Sequence, residues 1–253
     1  MTLSISQWHQ RYQQQAHWTQ NLRKYIFDQI GIQNANKILD IGCGTGVLED
    51  ELNHFGSSNI YGLDINFCAL RIAKGYAKNA MYTNGDCLQI PYPSGTFDVT
   101  LCHFLMLWLK EPLNAIAEMA RVTQPHGYVV ALAEPDYGGQ IDFPPELSQI
   151  GIWQTEALKE QGANPFMGRK LRSIFSRAGL INMEVGVLGG QWGEQITNQE
   201  IELEWEVIQS DLHHVNEFIL EEDKLKAIEF ASHRTRQRIL FVPTFYAFGM
   251  VNR

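Results

Sequence analysis

The sequence predicts an α/β fold with a mostly parallel sheet, and three observations support that prediction. Short apolar segments alternate with amphipathic ones between residues 36 and 134, as expected for consecutive βαβ units. A glycine-rich segment, Ile38 to Leu48, joins an apolar strand to a helix. Carboxylates end three successive apolar segments, at Asp40, Asp64 and Asp86. Because the carboxyl ends of parallel strands meet at one edge of a sheet, we expect these side chains near one ligand site.

The composition of the chain limits the size of its fold and the kinds of partner that it can bind. The chain has 253 residues and 45% hydrophobic content, enough for one domain with a sizeable core. A net charge of −8 argues against a nucleic-acid partner, since phosphate contacts need clustered Lys and Arg. We see no signal-peptide pattern and no apolar run long enough to cross a bilayer, so we expect a soluble, cytoplasmic monomer or homodimer without a membrane partner. The four cysteines have no C-x-x-C spacing, which favours reduced core thiols and no metal.

The glycine spacing separates two kinds of nucleotide ligand. A dinucleotide fingerprint reads G-x-G-x-x-G, and its third glycine allows close helix–strand packing. Here Gly42, Gly44 and Gly46 form G-x-G-x-G, and Val47 stands where that third glycine would be. The carboxylate of Asp40 would repel a phosphate but suits a ligand that carries an amino group. The pattern therefore argues against a pyrophosphate ligand.

The segment Asp40–Gly46, a D-x-G-x-G-x-G motif, resembles that of the class I S-adenosylmethionine-dependent methyltransferases of the small-molecule type, with a methyltransferase domain 11/25-like sequence. Further elements follow in that family's order: Asn59–Asp64, Gly85–Asp86, Thr96–Phe104 and Gly127–Glu134. The resemblance implies a Rossmann-like seven-stranded sheet with helices on both faces and a helical lid. In this fold the last strand, here Thr244–Val251, runs antiparallel beside the fifth.

The resemblance also implies the cofactor S-adenosylmethionine. Asp64 then binds both ribose hydroxyls, and Asp86 accepts from the adenine amino group between the flanking Cys87 and Leu88. Tyr12 and Trp18, near the N-terminus, are expected to fold over the cofactor or to pack within the lid. The implied cofactor-binding residues are Tyr12, Trp18, Asp40, Gly42, Cys43, Gly44, Asp64, Ile65, Asn66, Asp86, Cys87, Leu88, His103 and Phe104. We expect Asn66 also to cap the following helix.

Methyl transfer from a sulfonium is an in-line displacement that asks mainly for alignment of the acceptor and exclusion of water. Where the acceptor must lose a proton, His103 is the candidate base, because an unperturbed imidazole has a pKa near about 6.5. The alternative is a core histidine that hydrogen-bonds the cofactor or backbone. Asp136 and Tyr137 either face the acceptor or form a chain-reversing turn. Trp192 is a candidate for an aromatic lid over the acceptor.

A single methyltransferase domain is expected. Its parts are 1–30 as N-terminal lid helices, 36–139 as the cofactor-binding core, 140–190 with 241–253 as the C-terminal part of the sheet, and 191–240 as a helical lid insertion. The expected function is methyl transfer to an N, O or C nucleophile of a small, partly apolar metabolite. An NAD-linked oxidoreductase and a non-catalytic nucleotide-binding module are the alternatives.

Overall fold

The computed structural model describes residues 4–54, 59–189 and 197–252. The strands are β1 (Lys37–Ile41), β2 (Asn59–Asp64), β3 (Met81–Asn84), β4 (Phe97–Cys102), β5 (Thr123–Pro135), β6 (Ile141–Phe143), β7 (Ile181–Val187), β8 (Ile239–Phe241) and β9 (Thr244–Met250). The helices are α1 (Ile5–Trp18), α2 (Gln20–Ile30), α3 (Val47–Leu52), α4 (Phe67–Tyr76), α5 (Pro112–Val122), α6 (Ser148–Glu160), α7 (Leu171–Arg177), α8 (Asn198–Leu212) and α9 (Asn216–Arg234).

Seven strands form one sheet in the order β3-β2-β1-β4-β5-β9-β7. The pairs β1–β2, β1–β4, β2–β3 and β4–β5 are parallel. Strand β9 inserts between β5 and β7 and is antiparallel to both. The predicted Rossmann-like sheet with an antiparallel last strand is therefore confirmed.

The central strand shows why the sheet is covered on both faces. Ile38, Leu39 and Ile41 in β1 are fully buried. Leu39 and Ile41 pack into one core cluster with Ile116 of α5, whereas Ile38 packs into a second cluster with Ile26 of α2. Successive side chains of a strand point to opposite faces, so a continuous apolar run needs helices on each side.

Helices α8 and α9 form most of the segment predicted as a helical lid, and together with α6 they share a third apolar cluster around Trp205 and Phe218. The predicted helical insertion differs from the structure at its end. Helix α9 ends at Arg234, and β8 then pairs antiparallel with β6. Arg238 ties this small sheet to the lid, because it forms ion pairs with Asp142 of β6 and Glu229 of α9.

Within the described ranges, no helix is long and apolar enough to cross a membrane. In the same part of the chain, no three His, Cys, Asp or Glu side chains are grouped to hold a metal ion. All four cysteines are free thiols. Cys43 and Cys102 are buried and Cys87 is half-buried, but Cys68 is exposed. The expectation of core thiols is therefore wrong for Cys68, which lies on the solvent side of the first turn of α4.

Candidate active site

The glycine turn after β1 is shaped by close packing. Gly42, Gly44 and Gly46 have φ values of 73°, 54° and 83°, the left-handed region in which L side chains are strained. A Cβ on Gly42 would lie 2.8 Å from Leu105 Cδ1, and one on Gly46 would lie 2.9 Å from Ala73 Cβ. The turn therefore needs glycine at these two positions, and it leaves bare backbone at the carboxyl edge of the sheet.

Asp64 ends β2 beside this turn. Its two carboxylate oxygens accept the N–H groups of Gly44 and Asn66, each at 2.7 Å. A carboxylate oxygen has a further lone pair, so both oxygens can still accept from neighbouring hydroxyls. The Asn66 side chain accepts the N–H groups of Cys68 and Ala69 and caps α4 as predicted. Its oxygen therefore has a structural task whether or not a cofactor is bound.

Exposed apolar side chains follow the carboxylates beyond β2 and β3. Ile65, next to Asp64, is 75% exposed, and Leu88, two residues after Asp86, is 38% exposed. The Leu88 N–H donates to Asp86 Oδ1 at 2.8 Å. Burial, followed by the charge of Asp86, raises the pKa of the Cys87 thiol to about 11, so Cys87 is uncharged at neutral pH. Carboxylates flanked by apolar surface suit the hydroxyls and flat ring of a nucleoside.

Two carboxyl groups are buried beneath the glycine turn. Asp40 is 2% exposed, and among the described residues its Oδ1 has no hydrogen-bond partner. Glu49, in the first turn of α3, is fully buried, and within that part of the chain its oxygens have no hydrogen bond of normal geometry, although the Cys43 thiol and its own N–H lie close enough to lower its pKa in part. Burial, then Glu49 and Asp64, hold the pKa of Asp40 well above its usual range, and burial raises the pKa of Glu49 to about 8. An unpartnered buried carboxylate fits a ligand that brings an ammonium group, as S-adenosylmethionine does.

His103 follows β4 and lies under the junction of α1 and α2. Its Nε2 is 2.9 Å from Thr19 Oγ1, which accepts an N–H of the buried Arg23 at 2.5 Å. Its ring centroid lies 4.6 Å from that of Phe104. Burial, followed by the Arg23 charge, lowers the pKa of His103 to about 3. This differs from the unperturbed pKa that we assumed for a base, and it favours the alternative of a neutral, hydrogen-bonding histidine.

The two N-terminal aromatic residues have different surroundings. Tyr12 borders the glycine turn, since a Cβ on Gly44 would lie 3.4 Å from Tyr12 Cε2. Burial, followed by the charge of Asp64, raises the pKa of Tyr12. Trp18 is partly exposed, and the guanidinium of Arg11, on the same helix, lies 4.5 Å from its ring centroid. The structure thus brings Tyr12 to the predicted cofactor site and places Trp18 against Arg11.

The residues predicted to face the acceptor also differ from one another in their surroundings. The buried Asp136 accepts two side-chain N–H groups of Arg169, each at 2.6 Å, and the backbone N–H of Gly138 at 3.2 Å. Burial alone would raise the pKa of Asp136, but its bonds with Arg169 hold that pKa below its usual value. Asp136 is therefore committed to the turn, which was the alternative interpretation. Tyr137 is half-buried against the first core cluster, and Trp192 lies outside the described residues.

Sequence reasoning missed four polar residues that shape this edge: Thr19, Arg23, Glu49 and Glu134. Each is buried, and for two of them the position in an amphipathic helix indicates from the sequence that the side chain is buried. Arg23 lies on the apolar face of α2, and Glu49 lies between the core residues Leu48 and Leu52 in α3. A charge on the apolar face of a helix needs a buried partner, so it marks a site worth testing.

Residues 39–131 match the family model described as "Methyltransferase domain". An uncharacterized methyltransferase of Schizosaccharomyces pombe is 30% identical over 154 residues, which cover 56% of this chain and 55% of the relative. The demethylmenaquinone methyltransferase of Renibacterium salmoninarum is 28% identical over 122 residues, which cover 47% and 51%. The chain thus spans about half the length of these two relatives.

The structure is also similar to geranyl diphosphate methyltransferase solved in complex with S-adenosylmethionine. The TM-score is 0.58 with 13% sequence identity, and the alignment covers 92% of this chain and 85% of that one. At this identity the likeness shows the fold, and the family match carries the sequence evidence. Residues 39–131 are therefore similar to a methyltransferase domain, and the whole structure has the fold of a solved S-adenosylmethionine-dependent methyltransferase.

Proposed function

We propose that the protein is an enzyme that transfers a methyl group from S-adenosylmethionine to an N, O or C nucleophile of a small, partly apolar metabolite. The observation that carries this proposal is the buried Asp40, whose unpartnered oxygen lies beneath a turn of three left-handed glycines. The match of residues 39–131 to a methyltransferase domain supports it.

The cofactor's parts match the chemistry of the residues at this edge. Asp64 is proposed to accept from both ribose hydroxyls and Asp86 from the adenine amino group, while Ile65 and Leu88 give the ring apolar contacts. Asp40 is the counter-charge for the ammonium group, and that charge would lower its raised pKa. When bound, S-adenosylmethionine supplies a methyl group that is already activated on a sulfonium.

The chain's own contribution to the reaction is alignment and exclusion of water. Helix α1 covers the glycine turn, where His9 Nδ1 lies 2.8 Å from Thr45 Oγ1 and Tyr12 borders Gly44. We assign His103 the task of orienting the acceptor through a hydrogen bond. Its pKa of about 3 makes it a weak base, and a neutral amine acceptor needs none.

The acceptor class rests on the relatives and on two half-buried aromatic side chains, Phe104 beside His103 and Tyr137. The relative from Renibacterium salmoninarum is named a demethylmenaquinone methyltransferase, so demethylmenaquinone is the first acceptor to test. It is supplied in its reduced quinol form, because a ring carbon of the quinol is nucleophilic, and the ring proton that the methyl group replaces is released to solvent. Phe104 and Tyr137 offer aromatic surface to a partly apolar molecule. The net charge of −8 argues against a nucleic-acid acceptor.

Replacement of Asp64 tests the cofactor site directly. Asp64→Ala removes two charge-assisted bonds worth about 1.5–3 kcal/mol each, so we expect S-adenosylhomocysteine to bind at least about 100-fold more weakly. Asp223→Ala, an exposed carboxylate on α9, is the matched control and should bind with wild-type affinity. Calorimetry gives both dissociation constants. Equal affinity in Asp64→Ala and wild type would refute the assigned role of Asp64.

Ligand-dependent melting separates the proposed function from its alternatives. A ligand at a hundredfold excess over its Kd stabilises the folded state by about 2.7 kcal/mol. We expect S-adenosylhomocysteine to raise the melting temperature and NAD to leave it unchanged, and the reverse result would favour an oxidoreductase. Methyl transfer to demethylmenaquinone or to a metabolite extract would then be measured. Binding without turnover on any acceptor would favour a non-catalytic module.

A further inference from the structure

Glu134 is a buried carboxyl group at the end of β5, and it binds the backbone of the loop that follows β4. Its Oε1 accepts the N–H groups of Leu105 and Met106 at 3.0 and 2.7 Å, and its Oε2 accepts the N–H of Leu107 at 3.1 Å. The side chain is fully buried. These donors begin the short 3-10 helix Met106–Trp108, whose first N–H groups have no acceptor within the helix, so the buried carboxylate satisfies all three.

The loop held in this way has a strained conformation and reaches the glycine turn. Phe104 has a φ of 52°, which is uncommon for a residue with an aromatic side chain, and its N–H donates to Ala133 O at 3.0 Å. The next residue, Leu105, packs against Gly42, since a Cβ there would lie 2.8 Å from Leu105 Cδ1. Strain persists where the surroundings fix it, and Glu134 supplies the fixing bonds.

We propose that Glu134 is the positioning residue of this site: by holding the 105–107 backbone, it keeps His103, Phe104 and Leu105 in the arrangement that binds the cofactor against Gly42. This rests on the function proposed above. Glu134 contacts neither the glycine turn nor His103 in the structure, so it acts through the loop. Loss of its carboxylate should therefore weaken cofactor binding although the proposed cofactor-contacting side chains are intact.

A carboxylate suits this task better than an amide or an acid. The ionised form offers strong acceptors on both oxygens, whereas protonation places a hydrogen on one of them and weakens it as an acceptor. Burial raises the pKa of Glu134 to about 8 in spite of the three N–H donors. The titratable group that faces it is the Cys102 thiol on β4, whose own pKa burial and Glu134 hold well above its usual range. The loop should therefore be held most firmly above about pH 8 and should loosen below it, where Glu134 takes up a proton.

Backbone NMR of the wild-type protein tests the contact without any assumption about the cofactor. The amide signals of Leu105, Met106 and Leu107 should shift together with one midpoint between about pH 5 and about pH 10, because all three donate to one titrating carboxyl group. Absence of a shared transition would overturn the proposal. The affinity for S-adenosylhomocysteine should fall on the acid side of the same midpoint, and an affinity that stays constant across it would also overturn the proposal.

Two variants extend the test to turnover. In Glu134→Gln we expect the Kd and the KM for the cofactor to rise at least about tenfold and their pH dependence to flatten. Glu134→Asp keeps the charge but shortens the reach, so it should weaken binding while retaining a pH dependence. Glu146→Gln, an exposed glutamate outside the site, is the matched control. A folded Glu134→Gln with wild-type Kd, KM and pH profile would overturn the proposal. If a variant fails to fold, the wild-type amide and affinity titrations decide.

If the protein bound no S-adenosylhomocysteine, the proposed function would fail, yet the amide titration would still report the contact of Glu134 with the loop. Two other buried carboxyl groups contribute to the pH dependence of affinity, because burial raises the pKa of Asp40 well above its usual range and that of Glu49 to about 8. Measuring the affinity profile in Glu49→Gln removes the contribution of Glu49, and the amide titration without cofactor is independent of the bond proposed for Asp40. A profile that vanishes in Glu49→Gln but persists in Glu134→Gln would assign the pH dependence to Glu49 and contradict our proposal.

Discussion

Glu49→Gln is the substitution with the sharpest expected effect on stability. Glu49 is fully buried under the glycine turn, beside Cys43 and Gly62. Burial raises the pKa of its carboxyl group to about 8, from a model-compound value of 4.5. Glutamine has nearly the same shape and cannot ionise. The variant therefore removes the charge at high pH and leaves the packing almost unchanged.

The sign of the effect follows from proton linkage. A carboxyl group whose pKa is higher in the folded state than in the unfolded state favours folding below the unfolded pKa, and that contribution is lost as pH rises through the folded pKa. Wild type should thus lose stability between about pH 5 and about pH 8 through Glu49. Each pKa unit is worth about 1.4 kcal/mol, so the loss of stability is on the order of several kcal/mol. Part of this loss belongs to the neighbouring Asp40, whose pKa burial also raises.

The amide brings an opposite, pH-independent cost. The glutamine side chain introduces N–H donors into a buried position where the carboxyl group has no hydrogen bond of normal geometry among the described residues. A buried donor without an acceptor costs about 1–3 kcal/mol. We expect Glu49→Gln to be less stable than wild type at about pH 5 and to recover relative to wild type as pH rises to about 9. Asp40 and Glu134 still titrate in the variant, so its own curve is not flat.

Urea unfolding of both proteins across this pH range measures the difference. The free energy of unfolding of the variant minus that of wild type should increase with pH, by at least about 1.4 kcal/mol. Glu146→Gln, an exposed glutamate, should run parallel to wild type. Parallel curves for Glu49→Gln and wild type would show that Glu49 ionises normally in the folded protein, and the reasoning on its burial would be refuted.

The remaining predictions concern packing and one ion pair. Gly62→Ala should lower the free energy of unfolding in urea by about 1–3 kcal/mol, because the new Cβ would lie 2.6 Å from Glu49 Oε1. An unchanged free energy of unfolding would show that the strand shifts at no cost to make room for the Cβ. Asp136→Asn should weaken the bidentate bond to Arg169 and lower stability by about 1–3 kcal/mol while leaving cofactor affinity unchanged. A selective loss of acceptor turnover in Asp136→Asn, without loss of stability, would restore the predicted contact with the acceptor.

The sheet was predictable because its signal is local and repeated. Strands β1 and β2 contain the apolar runs Ile38–Leu39 and Ile60–Leu63, and each run is followed by a carboxylate near the carboxyl edge, Asp40 and Asp64. The small sheet of β6 and β8 was not predictable in this way. Its strands have three residues each and lie far apart in the chain, so their pairing depends on tertiary contacts such as that of Arg238 with Asp142.

Site residues that belong to a sequence motif could be predicted, whereas those whose properties depend on tertiary burial could not. The glycines and Asp64 follow from a motif, and the structure brings them together at one turn. Burial, followed by the charge of Arg23, lowers the pKa of His103, and Arg23 is 80 positions earlier by sequence number. No local pattern near His103 reveals its burial or that cation. The expectation of an unperturbed imidazole is therefore corrected by tertiary packing, to which a distant side chain adds its charge.

The sequence predicts three carboxylates, Asp40, Asp64 and Asp86, at one edge of the sheet, and in the structure their hydrogen-bond partners differ. Asp64 and Asp86 are satisfied by backbone N–H groups, so their presence alone requires nothing further. Asp40 is different, because it is buried with an unpartnered oxygen and has a second buried carboxyl group, Glu49, beside it. Arg23 lowers the pKa of Asp40 but directs its N–H groups to other acceptors, among them Thr19. The carboxyl groups beneath the glycine turn are therefore the ones whose ionisation needs a nearby cation, and the ammonium group of the proposed cofactor would supply it.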